Sequence, residues 1–125
     1  MLYNAKANLY NLWQGNLSNN DYLRKFNSLV DVAVFYNSQV HNNAICNIVT
    51  MSEHGDATNY DNIQDDEKTE VNEKTHELYC ATIFLAQSDK RRYEKLLENL
   101  KNTYTHGNDD YPQDMVQAFK LLNKF

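Results

Sequence analysis

The segment Thr75-His76-Glu77-Leu78-Tyr79-Cys80 sets a His and a Cys four positions apart with a Glu beside the His. On a helix that spacing puts His76 and Cys80 on one face, as in zinc sites where two His hold the metal and the Glu acts as base. Here the second ligand is Cys80, and zinc needs two further donors that no neighbouring residue supplies at metal-ligand spacing. A surface His and a core Cys is the simpler reading. Cys46 with His41 or His54 offers a thiolate–imidazole pair. A Cys set among Ile and Val residues has its pKa raised by the apolar surroundings, however, and packs rather than attacks. Asp65/Asp66 and Asp109/Asp110 fall in polar turns where both members stay ionised, whereas an acid–base dyad needs environments that separate the two pKa values. No phosphate loop or nucleophile elbow is present. The expectation is a non-enzymatic protein with no catalytic residue, no metal and no cofactor.

Composition narrows the class further. The 125 residues are 42% hydrophobic and 23% charged, the balance of a folded chain of single-domain length. A net charge of -5 argues against unaided binding to a phosphate backbone, which requires a basic stripe. The one dense basic run, Lys90-Arg91-Arg92, is short and followed by Glu94 and Glu98, so it reads as a solvated helix face. No apolar run approaches the roughly 20 residues that span a bilayer, and no signal-peptide core follows Met1, so a soluble, cytoplasmic protein is expected. Cys46 and Cys80 lack paired spacing and read as buried, reduced thiols. Nine tyrosines, several on inward stripes, suit core edges and protein–protein interfaces.

With three Gly and one Pro, breakers are rare, and apolar residues recur at three and four rather than two. The pattern predicts an all-α, compact bundle of about five to six helices. Leu2, Ala5, Leu9, Leu12 and Trp13 form one face of a leading helix over 1–15, stopped by Gly15 in the left-handed conformation. Ser18 caps a second helix, with Leu17 as a staple onto Tyr22. Its inward stripe is Tyr22, Phe26, Leu29, Val30, Ala33 and Val34, running to about Tyr36. Ala44, Ile45, Ile48, Val49 and Met51 mark a short third helix, with a strand as the alternative. A polar loop near 54–66 is the expected place for mobility. A fourth helix from about Glu67 turns Val71, Leu78, Tyr79, Thr82, Ile83 and Leu85 inward. Ser88 or Asp89 caps a fifth, whose stripe is Tyr93, Leu96, Leu97, Leu100 and Tyr104, and Gly107 ends it. Pro112 takes a first helical position before Met115, Val116, Phe119 and Leu122.

One stretch exceeds what helix physics demands. In Gln14-Gly15-Asn16-Leu17-Ser18 a Gln precedes the turn glycine, and Tyr22, Lys25, Phe26 and Leu29 follow. This run resembles the major homology region of retroviral and retrotransposon Gag capsid proteins, whose pattern is Gln-Gly, an acid, Tyr, a basic residue beside Phe, and Leu. Ser18 stands where the retroviral pattern has Glu, and the gap from Gly15 to Tyr22 is one residue shorter. Lys25 matches the basic position in charge without the fork of an Arg. A second block is similar to the end of Copia-type Gag polyproteins. It comprises Phe84, Leu85, Asp89, Arg92, Tyr93, Lys95, Leu96, Leu100, Asn102 and Tyr104, then Gly107, Asp109, Tyr111 and Pro112, and then Ala118, Phe119, Leu121 and Leu122.

The resemblance implies a fold like the retroviral capsid C-terminal domain over 16–125, with 1–15 as the end of an N-terminal capsid domain. It implies that the Gln14 side chain ties its turn by hydrogen bonds. It implies a structural role: self-association into a shell that packages element RNA. Gag proteins of this kind reach RNA through a zinc knuckle, and no such motif stands within these residues, so RNA is an indirect partner only. The expected partners are other copies of the chain and no membrane. The alternative is a domesticated helical adaptor that binds a partner protein in a groove. The residues expected to maintain the fold are Trp13, Gln14, Gly15, Ser18, Tyr22, Phe26, Leu29, Tyr93, Leu96 and Leu100.

Overall fold

The computed structural model describes residues 8–35, 43–55 and 58–125, and every described element is helix, turn or loop. Readings that rest on Leu2, Ala5, Tyr36 and His41, and on the side chains of Val34, Ala44 and Ile45, lie outside the described residues. Residues 8–10 form a helical turn. Helices α1 (Asn19–Phe35), α2 (Asn43–His54), α3 (Asp65–Ala86), α4 (Lys90–Thr105) and α5 (Met115–Lys124) follow, with a 3-10 turn at Tyr60–Asn62.

Local chemistry sets most of these boundaries. Ser18 Oγ accepts the Asp21 N–H at 3.1 Å, so the expected cap opens α1. Asp65, Asp66 and Glu67 occupy the first turn of α3, where carboxylates favour the positive end of the helix dipole. Asp89 accepts the Arg91 N–H at 3.3 Å and opens α4. Gly107, at φ +92°, follows the last residues of that helix as expected. Asp114 accepts the Gln117 N–H at 2.8 Å and starts α5. Pro112 is therefore not its first helical residue; it is buried in the preceding loop.

Helix α3 is the central element, with α2 and α5 packed along it and α1 against α5. Its C-terminal half buries Cys80, Ala81, Ile83, Phe84 and Leu85, a spread too wide for one stripe because neighbours cover it on several sides. Tyr22, Phe26, Tyr93, Leu96, Leu100, Ala118 and Leu122 close the same core, with Leu29 half-buried at its margin. Tyr22 stacks on Phe84 with ring centroids 4.4 Å apart, and its hydroxyl donates to the Phe84 carbonyl at 2.6 Å. Desolvation raises the Tyr22 pKa well above the usual phenol range.

Several stripe assignments are corrected. Trp13 is 54% exposed, because the chain leaves helical geometry after residue 10 and the ring falls on the outer side of a turn. There it lies under the Lys90 ammonium, 5.4 Å from the ring centroid. Trp13→Ala is accordingly expected to lower stability by only about 1 kcal/mol, the scale of an exposed cation–π contact, as measured by urea unfolding. In α2 the inward residues are Cys46 and Thr50, while Ile48 and Met51 face out. Apolar residues flank both sides of that segment, so periodicity alone selects no face. Thr82 and Tyr104 are exposed, as is Val116; α5 instead buries Ala118 and Leu122. Gly15 does adopt the left-handed conformation, at φ +52°, but in a turn several residues beyond the helical residues it was expected to stop.

Candidate functional site

Among the described residues, those that the sequence marks for possible chemistry are placed as follows. Cys80 Sγ lies 3.8 Å from His76 Nε2, and burial together with the nearby Glu77 pushes the thiol up to about 12, far from a thiolate nucleophile. No group of three His, Cys, Asp or Glu residues that could hold a metal occurs among the described residues. Cys46 Sγ faces Asn72 at 3.9 Å, while His54 Nδ1 faces Glu67 at 3.1 Å, so each has a different neighbour. Asp65, Asp66, Asp109 and Asp110 are exposed. Among the described residues no helix is long and apolar enough to cross a membrane.

The built feature is the turn that carries Gln14 and Gly15. Gln14 is 1% exposed, and its side chain uses both ends of its amide. Nε2 donates to the Leu17 carbonyl at 3.1 Å and to Asn19 Oδ1 at 2.8 Å, tying the turn to the start of α1. Oε1 accepts the Asp89 N–H at 2.9 Å, tying it to the start of α4. The Gln14 main chain joins in, its N–H donating to the Gln87 carbonyl at 2.9 Å. Gln87 answers from the other side: its buried Nε2 donates to the Leu9 carbonyl at 3.2 Å and to the Leu12 carbonyl. Two glutamines, each just ahead of a helix cap, thus clamp one another's segments. A buried amide is tolerated here because its polar atoms are bonded.

Arg92 completes the clamp. One guanidinium nitrogen donates to the carbonyls of Gly15 (3.0 Å) and Leu17 (2.6 Å), while Nε pairs with Asp89 Oδ2 at 2.9 Å. A guanidinium therefore links the turn carbonyls to the Asp89 carboxylate from α4, while Lys25 is exposed on α1. Arg91 donates to Asn16 Oδ1 at 3.3 Å, and Tyr93 OH donates to Asn19 Oδ1 at 2.7 Å. The basic run Lys90-Arg91-Arg92 is exposed, as the sequence reading expects of a solvated face, and from that face it also contacts residues 13–17.

Gln87 and Asn19 escape the sequence reading. Gln87 carried no signal beyond its place beside the Ser88-Asp89 cap pair. Asn19 carries none beyond its place next to Ser18.

The Arg92 hydrogen bond, the Arg91 N–H and the two guanidinium charges hold the Asp89 carboxyl below its ordinary value of 3.8. The unfolded chain binds that proton more tightly than the folded one. The contribution is therefore complete above the ordinary value and disappears as pH falls through the lower folded value. Melting temperature is expected to decline on acidification below about pH 4 by this route, and Asp89→Asn should make that decline shallower. An identical acid profile in the variant would show that other carboxylates govern it.

Comparison of the chain with protein-family models, with curated proteins and with solved structures returns no match.

Proposed function

We propose that this chain is a capsid-like structural domain of a retrotransposon Gag, non-enzymatic and cytoplasmic, whose work is self-association into a shell around element RNA. The observation that carries the reading is the meeting of its two Gag-like blocks. Residues 14–29 and 84–122 are separate in sequence, yet Gln14 bonds Gln87 and Asp89, Arg92 bonds Gly15 and Leu17, and Tyr22 stacks on Phe84. Each block supplies what the other leaves unsatisfied. The reading is supported by the Gln14 side-chain bond across its own turn, by the Ser18 cap of α1, and by Arg92, which reaches the turn carbonyls from α4.

The function follows from rigidity. Repeated weak contacts accumulate into a shell only if each copy presents its surfaces at fixed angles, and the clamp fixes the turn and the start of α1 against α3 and α4. Electron microscopy of the concentrated protein tests the reading: curved arrays or closed particles are expected, and dispersed monomers at every concentration would refute it.

A further inference from the structure

An open groove of about 950 Å³ lies between α2, α3 and the segment from Tyr104 to Asp114, away from the clamp. Its apolar surface comes from Ile48, Val49, Leu78, Tyr104 and Tyr111. Ile48 and Tyr104 are each 62% exposed, and the rings of Tyr104 and Tyr111 meet edge-on with centroids 6.1 Å apart. Single exposed apolar residues are ordinary; a contiguous set lining one groove marks an interaction surface.

Charge specifies the occupant. Among the described residues, five carboxylates border the groove (Glu53, Glu73, Glu77, Asp109 and Asp114) against one ammonium, that of Lys74, which is paired with Glu53. Asp109 accepts the Tyr111 N–H and Asp114 caps α5, so both are fixed in place. Glu73 and Glu77 stand one turn apart on the exposed side of α3. An acidic or neutral guest would leave this rim uncompensated, whereas Lys and Arg flanking an apolar stripe would pair with it while the stripe covers Ile48 and Tyr104.

We infer that this groove binds a basic amphipathic helix of another protein, apolar anchors seated on Ile48, Leu78 and Tyr104 and cationic flanks against Glu73, Glu77 and Asp109. This goes beyond self-association and uses a surface remote from the clamp.

The test is fluorescence anisotropy with a labelled synthetic peptide of about 18 residues, Leu at helical spacing and Lys elsewhere. A scrambled peptide of equal composition and a Leu/Glu counterpart serve as controls. Binding in the range of about 10–100 μM is expected for the amphipathic peptide, with the scrambled form about tenfold weaker and the acidic form weaker still. Glu73→Lys with Glu77→Lys, both at exposed positions, should lower affinity about tenfold at unchanged melting temperature, and Ile48→Asn should do likewise. Equal binding of the scrambled peptide, or unaltered affinity in these variants, would overturn the proposal. So would failure of the peptide to bind while the same variants abolish self-association, which would give the groove to a second copy of the chain.

Discussion

Phe26→Ala is expected to lower the unfolding free energy by about 3–5 kcal/mol, much of the total stability of so small a domain. Phe26 is fully buried on α1 and meets Phe84 edge-on, centroids 5.2 Å apart at 77°, while Phe84 is stacked on Tyr22. Removing the ring leaves a cavity bounded by two other rings that are themselves held, Tyr22 by its bond to the Phe84 carbonyl. Collapse into the space is therefore limited, and the cost sits toward the upper part of the range for a large-to-small change. Urea unfolding followed by circular dichroism checks this. A midpoint close to that of the parent would mean that the α1 register is wrong.

Gln14→Leu keeps the approximate volume of the side chain and removes its amide, and a loss of about 2–4 kcal/mol is expected. The largest part comes from the Asp89 N–H, whose described acceptor is Gln14 Oε1. The Leu17 carbonyl and Asn19 Oδ1 retain donors from Arg92 and Tyr93 respectively, so their loss is smaller. Gln14→Glu should be no more stable than Gln14→Leu, because although it keeps an acceptor for the Asp89 N–H it buries a charge and turns an oxygen toward the Leu17 carbonyl and Asn19 Oδ1. Thermal unfolding of the three proteins gives the order. If Gln14→Leu melted with the parent, the clamp would be decorative, and the link between the two Gag-like blocks would lose its energetic basis.

The helical class was legible because one signal repeated along the chain: Tyr22, Phe26 and Ala33, and then Tyr93, Leu96 and Leu100, stand at helical spacing and are buried. Caps were legible at Ser18 and Asp89, where a short polar side chain preceded such a stripe, but not at Asp114, where Pro112 drew the assignment. Faces were misread where apolar residues surround the helix, as in α2, or where an apolar residue sits beyond the end of a helix, as with Trp13. The candidate site was half legible. Gln14 stood out because helix physics gave it no purpose, but beside its local partners Leu17 and Asn19 it bonds Gln87 and Asp89, more than 70 positions away, and no local rule ties a turn at residue 14 to a helix cap at residue 89. Arg92 was visible as an exposed charge, but its bonds to the Gly15 and Leu17 carbonyls were not, for the same reason: which carbonyls a surface cation meets is decided by tertiary packing.

The clamp and the groove divide the molecule into a fixed frame and an available surface, and the central claim is that copies built on this frame associate. Light scattering behind size exclusion, across a wide concentration range at low and high salt, measures that directly. The mass is predicted to rise with concentration toward dimers and larger species, more so at high salt, where repulsion between chains of net charge -5 is screened. A constant monomer mass under all conditions would contradict the account.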